Sequence, residues 1–99
     1  MARQFDVFRI EDGVLVVNVQ SDLLDAMHTR VVAPLLPAGE AGRPMRGLNP
    51  GLRFGEDEVV LMPQLMATVA VRALGRPVGS IGHLRDAVVR AMDILLTGV

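Results

Sequence analysis

One stretch of this chain carries a sustained helical period, and it is the closing one. Leu84, Ala87, Val88, Ala91, Met92 and Leu95 follow the i, i+3, i+4, i+7, i+8, i+11 spacing of a single helix face. Arg85, Asp86, Arg90 and Asp93 fall on the opposite side, while Val89 and Leu96, seven apart, lie together beside that polar face. Ser80, or a residue near it, is a cap for the start, with Gly82 shifting the boundary by a few residues. Gly98 stops the helix. Everything before it comes as short apolar runs broken by Gly, Pro and polar turns. Several strands followed by one helix specify an α+β domain, mainly β, or a small barrel-like sheet with a helix attached.

The strands are read in order. Gln4–Ile10 and Val14–Gln20 flank Glu11-Asp12-Gly13 and form a hairpin, with Leu15, Val17 and Val19 alternating against Asn18 and Gln20. Ser21-Asp22-Leu23-Leu24-Asp25 leaves the sheet, because these polar side chains bond nearby backbone. Residues 30–36 form a third strand, and Pro34, which has no N–H to donate, belongs at an edge or a bulge. Between Pro37 and Gly51 repeated Gly and Pro predict a mobile loop with room for short strands. Leu52–Phe54 and Val59–Met62 flank Gly55-Glu56-Asp57-Glu58 as a second hairpin. Gln64–Met66 and Thr68–Arg72 read as further strands, and Gly75-Arg76-Pro77 and Gly79-Ser80 break the pattern. At 99 residues, with no repeat, the chain is expected to form one domain over residues 1–99.

Composition narrows the function. Half of the residues, 51%, are hydrophobic, more than a small monomer hides easily, so a two-fold dimer is the expected state. A net charge of −1 and three aromatic residues, all Phe, exclude the basic footprint and the stacking platforms of a nucleic-acid binder. No Cys is present, which removes disulfides and thiolate zinc sites and suits a reducing cytoplasm. Neither a signal peptide nor a membrane span can be read in the sequence.

Catalytic chemistry has little to build on. His28 and His83 are the only histidines and are isolated, so no metal or other cofactor is expected. Asp22 and Asp25 are explained as turn residues, and Glu56, Asp57 and Glu58 as a solvated hairpin tip. Gly39–Gly47 lacks the Lys-Ser/Thr end of a phosphate loop. Met62, Met66 and Met92 read as core filler. A binding protein is therefore expected, not an enzyme.

Several ordered blocks resemble one family. Val19-Gln20-Ser21-Asp22-Leu23-Leu24-Asp25 and Arg30-Val31-Val32-Ala33-Pro34-Leu35 are similar to the early region of the CcdB toxins. Leu48-Asn49-Pro50, the hairpin at Gly55-Glu56-Asp57, Met66-Ala67-Thr68-Val69-Ala70-Val71, Ile94-Leu95-Leu96 and Gly98-Val99 follow in the family's order, over nearly the whole chain. The resemblance implies a twisted antiparallel sheet of the SH3-like barrel type shared with the MazF and Kid toxins, a smaller sheet and a C-terminal helix. It also implies a cytoplasmic homodimer that traps the DNA gyrase A subunit in its cleavage complex and is released by a CcdA-like antitoxin. Neither specific DNA binding by the toxin alone nor a membrane partner is implied. The family's gyrase-binding tail is Trp-Gly-Ile. Its places here hold Thr97, Gly98 and Val99, with Leu23, Leu24, Asp93 and Leu96 at the other gyrase-binding positions and Asp93 where Asn is common. Two alternatives stand beside this reading, the first favoured by Thr97 in place of Trp and the second by the fold shared with the MazF and Kid toxins. One is a binding module of the same fold that no longer poisons gyrase. The other is a MazF-like ribonuclease using His28, Thr29 and Arg30 as acid, base and phosphate-charge stabilisers.

Overall fold

The structure, a computed structural model, describes residues 2–99. Among them run seven strands, β1 (Asp6–Arg9), β2 (Leu15–Asn18), β3 (Thr29–Pro37), β4 (Gly51–Phe54), β5 (Asp57–Leu61), β6 (Ala67–Ala70) and β7 (Gly79–Ser80), followed by the helix α1 (Arg85–Thr97). All pairings are antiparallel, in the order β4-β5-β3-β2-β1-β7, with β6 also on β3. The architecture is mainly β, a curled antiparallel sheet with one C-terminal helix, the α+β class the sequence pattern specifies.

Both faces of the central strands are covered, and the alternation of side chains along a strand sorts them. Val7, Leu15, Val17, Ala33, Leu35 and Leu61 share one face, where Ile81 and the helix residues Val88 and Ala91 close over them. Leu15 stands opposite Leu35, and Leu35 opposite Leu61, so one leucine row crosses three strands. On the other face Phe8, Val16 and Val32 pack with Ala2 and Leu74. Phe8 is fully enclosed, and truncating such a side chain to Ala costs about 3–5 kcal/mol.

Phe5 marks where the chain turns into β1. Its φ of 72° is the only positive value among the described residues other than glycine, a conformation costing about 1–3 kcal/mol for a bulky side chain. Its N–H donates to the Asn18 carbonyl at 2.6 Å and its carbonyl accepts from the Ile81 N–H at 2.9 Å. The ring is buried, with the Arg85 guanidinium 5.6 Å from its centroid. The surrounding packing and bonds hold the strained backbone.

Several expectations need correction. Pro34 is neither on an edge strand nor at a bulge: it sits inside β3, where the partner changes. Residues 29–32 pair with β6 and residues 35–37 with β5. Its carbonyl accepts from the Met62 N–H at 2.9 Å, and with no N–H to return, the β5 ladder ends there. The 37–51 segment is not free along its length. A 3-10 turn covers Ala38–Glu40, and Leu48 and Asn49 are buried. The Asn49 carboxamide accepts from the Met45 N–H at 3.0 Å and donates to the Leu61 carbonyl at 3.1 Å and to Gln64 at 2.9 Å.

Gln64–Met66 is not a strand, because Pro63 opens a 3-10 turn over Pro63–Leu65. The next strand stops at Ala70, where a further turn begins. Gly79-Ser80, read as a break, is a two-residue strand on β1. There a Cβ on Gly79 would lie 2.6 Å from the Phe54 ring, so any other residue would force the ring to shift. Ser80 does not cap α1: its hydroxyl accepts from the Gly82 N–H at 3.1 Å, and a 3-10 turn over Gly82–Leu84 intervenes.

Candidate functional site

The seven residues singled out by the resemblance fall into two exposed clusters. Leu23 and Leu24 sit in a 3-10 turn, Asp22–Leu24, directly after β2. The Ser21 hydroxyl accepts from the Leu23 N–H at 3.1 Å, and the Asp22 carboxylate accepts from the Gln4 N–H at 2.8 Å. These bonds are the turn chemistry expected of Ser and Asp at such positions. The turn carries an apolar load into solvent: Leu23 is 92% exposed, and Leu24 and Met27 are half exposed.

The second cluster is the end of α1. Its buried stripe, led by Val88 and Ala91, faces the sheet, which leaves Asp93, Leu96 and Thr97 outward. The Thr97 hydroxyl donates back to the Asp93 carbonyl at 2.8 Å. Gly98 adopts the left-handed conformation, φ 84° and ψ 5°, and its N–H donates to the Ile94 carbonyl at 3.0 Å. This glycine terminator aims the chain away from the helix, and Val99 is 86% exposed. The last turn holds no basic side chain, and Asp93 stands just before it, so the helix end is electronegative as well as apolar.

Beneath the Leu23 turn lies a feature that the sequence pattern concealed. Asn18 and Gln20, read as the polar partners in an alternating strand, are buried, and so is Arg30, at 3% exposure. Gln20 donates to the Leu24 carbonyl at 3.2 Å and accepts from the Val31 N–H at 3.1 Å. Asn18 accepts from the Gln20 N–H at 3.1 Å. The Arg30 guanidinium donates from Nε to the Ala2 carbonyl at 3.2 Å, from Nη1 to Met27 at 2.7 Å and Thr29 at 2.9 Å, and from Nη2 to Asp25 at 3.1 Å. Buried arginine is ordinarily paired with a carboxylate; here, among the described residues, backbone carbonyl dipoles meet the charge. The only sequence signal was the polar pair in an otherwise apolar strand, whose covering residues are distant along the chain.

The same geometry bears on the phosphate-stabilising role the ribonuclease alternative gives Arg30. Arg30 has its guanidinium committed to four carbonyls and withdrawn from solvent, whereas His28 is exposed. With its guanidinium enclosed, Arg30 does not face solvent as a phosphate-charge stabiliser would need to. A cleft of about 410 Å³ between the β1–β2 turn and the start of β5 shares no residue with either exposed cluster.

No helix among the described residues is long and apolar enough to cross a membrane. A family model described as CcdB protein matches residues 4–98. With nearly the whole chain under that match, and with the curled sheet and closing helix in place, this chain belongs to the CcdB family, the toxins of toxin–antitoxin pairs.

Proposed function

We propose that this toxin acts by poisoning DNA gyrase. A homodimer docks on the gyrase A subunit through the end of α1 and the Leu23–Leu24 turn, traps the cleavage complex without itself catalysing a reaction, and is displaced by a CcdA-like antitoxin. The carrying observation is the presentation of apolar side chains on ordered backbone. Leu96 is 65% and Val99 86% exposed at a helix end closed by Gly98. Solvent-facing aliphatics beside a helix end are suited to filling a partner's pocket. Support for the homodimer comes from the further exposed aliphatics Leu65, Val78 and Val89, an apolar surplus that pairing would cover. One domain spanning residues 1–99, at work in the cytoplasm where gyrase meets DNA, completes this reading.

Thr97 favours, as the second reading, a binding module of the same fold that no longer poisons gyrase. Its hydroxyl is turned back onto the Asp93 carbonyl, so the place of the family's Trp offers a partner little area. Purified chain is added to gyrase and supercoiled DNA, and linear DNA released on denaturation is measured alongside growth on expression in cells. Accumulated cleavage complex with growth arrest is the expected result. Neither cleavage nor arrest overturns gyrase poisoning and leaves the binding module.

A further inference from the structure

We propose that Arg30, together with Gln20, is a positioning residue for the docking turn: two buried side chains with no acidic partner hold the backbone that presents Leu23, Leu24 and Met27. This role rests on the gyrase reading above.

Three of the four carbonyls on the Arg30 guanidinium come from alternate residues of one short stretch, Asp25, Met27 and Thr29. The loop is thus wrapped around the guanidinium, with its carbonyls inward. The fourth, Ala2, ties the loop to the segment leading into β1. Gln20 grips the preceding residue, Leu24, by its carbonyl while accepting from Val31 in β3. Leu23, at 92% exposure, gains no compensating core contact, and Leu24 and Met27 are only half covered. Three exposed apolar residues would favour collapse onto the surface if the backbone were free, and the polar layer below opposes this together with the Ser21 and Asp22 bonds of the turn. A lysine ammonium cannot reproduce a planar fork that serves four separated carbonyls. When only a fraction of molecules holds the competent conformation, the apparent affinity falls by that fraction.

The test uses the full chain as Arg30→Lys and, separately, Gln20→Met. Backbone order parameters over residues 22–28, thermal midpoint, and affinity for the purified gyrase A subunit are measured at a temperature where each variant is fully folded. The expected result is a drop in order parameter over 22–28 from about 0.85 to below about 0.6. Affinity per folded molecule weakens by about tenfold as the competent fraction falls to about one tenth. A lowered thermal midpoint with unchanged affinity and unchanged order marks a merely structural role and overturns the proposal. If Arg30→Lys does not fold, Gln20→Met decides on the same readouts. If the unmodified chain has no affinity for the A subunit, the gyrase reading fails by itself. The order parameters then decide the holding role: an unchanged turn in both variants overturns it, and a loosened turn sustains it.

Discussion

Gly47 and Ile94 meet so closely that a Cβ on Gly47 would stand 2.7 Å from the Ile94 δ-methyl. The contact joins the segment before β4 to the last turns of α1, and φ at Gly47 is +82°, a region other residues enter at a cost. Gly47→Ala therefore combines backbone strain with a clash. A loss of about 2 kcal/mol is expected, read as a thermal midpoint lower by about 10 °C. Adding Ile94→Val, which removes the offending methyl, should recover the clash component and leave the backbone component.

Asn49 occupies a buried position with its carboxamide spent on Met45, Leu61 and Gln64. Asn49→Ala strands the Leu61 carbonyl and the Met45 N–H, and should cost about 2–4 kcal/mol. The urea midpoint is expected to fall with an unchanged slope, since the surface exposed on unfolding stays the same.

Leu23 and Val99 separate stability from action. Both are almost fully exposed, so Leu23→Ala and Val99→Ser should leave stability within about 0.5 kcal/mol of the unmodified chain. Gyrase cleavage is expected to fall by about tenfold or more for each, the equivalent of about 1.4 kcal/mol of docking energy. Unchanged cleavage in both would move the docking surface elsewhere.

Thr97→Trp replaces a self-bonded hydroxyl with a large ring at an exposed helix end. An anchor of that kind contributes about 2 kcal/mol or more when a partner encloses it. Gyrase-dependent cleavage should increase by more than about tenfold, at the cost of the Thr97–Asp93 bond and a small drop in thermal midpoint. Cleavage appearing only in the variant would favour the binding module for the unmodified chain.

Much of the fold was legible because its signals are local. The stripe from Leu84 to Leu95 places Val88 and Ala91 in the core as its period demands, and Gly98 ends the helix as a terminator should. The β1–β2 hairpin follows its turn residues, and the β4–β5 hairpin forms where expected, although Asp57 and Glu58, read as turn, lie in β5 opposite Phe54 and Arg53. What escaped was decided at a distance. Gly79-Ser80 is too short to show a period, and its strand character comes only from lying against Asp6 and Val7. Pro34 is accommodated inside the sheet because β5 and β6 divide one edge of β3 between them. The exposed clusters were placed by family resemblance. Their support was invisible, because Asn18, Gln20 and Arg30 look like ordinary strand-flanking polar residues until Ala2 and the 25–29 loop are folded over them.

The shared edge of β3 also orders events during synthesis. β1, β2 and β3 can pair as soon as they leave the ribosome, but one side of β3 then stays open until residues 57–70 arrive. The inner leucine row remains wet until Ile81, Val88 and Ala91 are in place. A nascent chain thus passes through a long stage with an unpaired strand edge and an uncovered core, the stage at which chaperones and proteases act. The helix that shuts the core also carries Leu96, and Val99 follows just beyond its Gly98 cap. Under the docking proposed above, closure of the core and presentation of Leu96 to a partner therefore coincide.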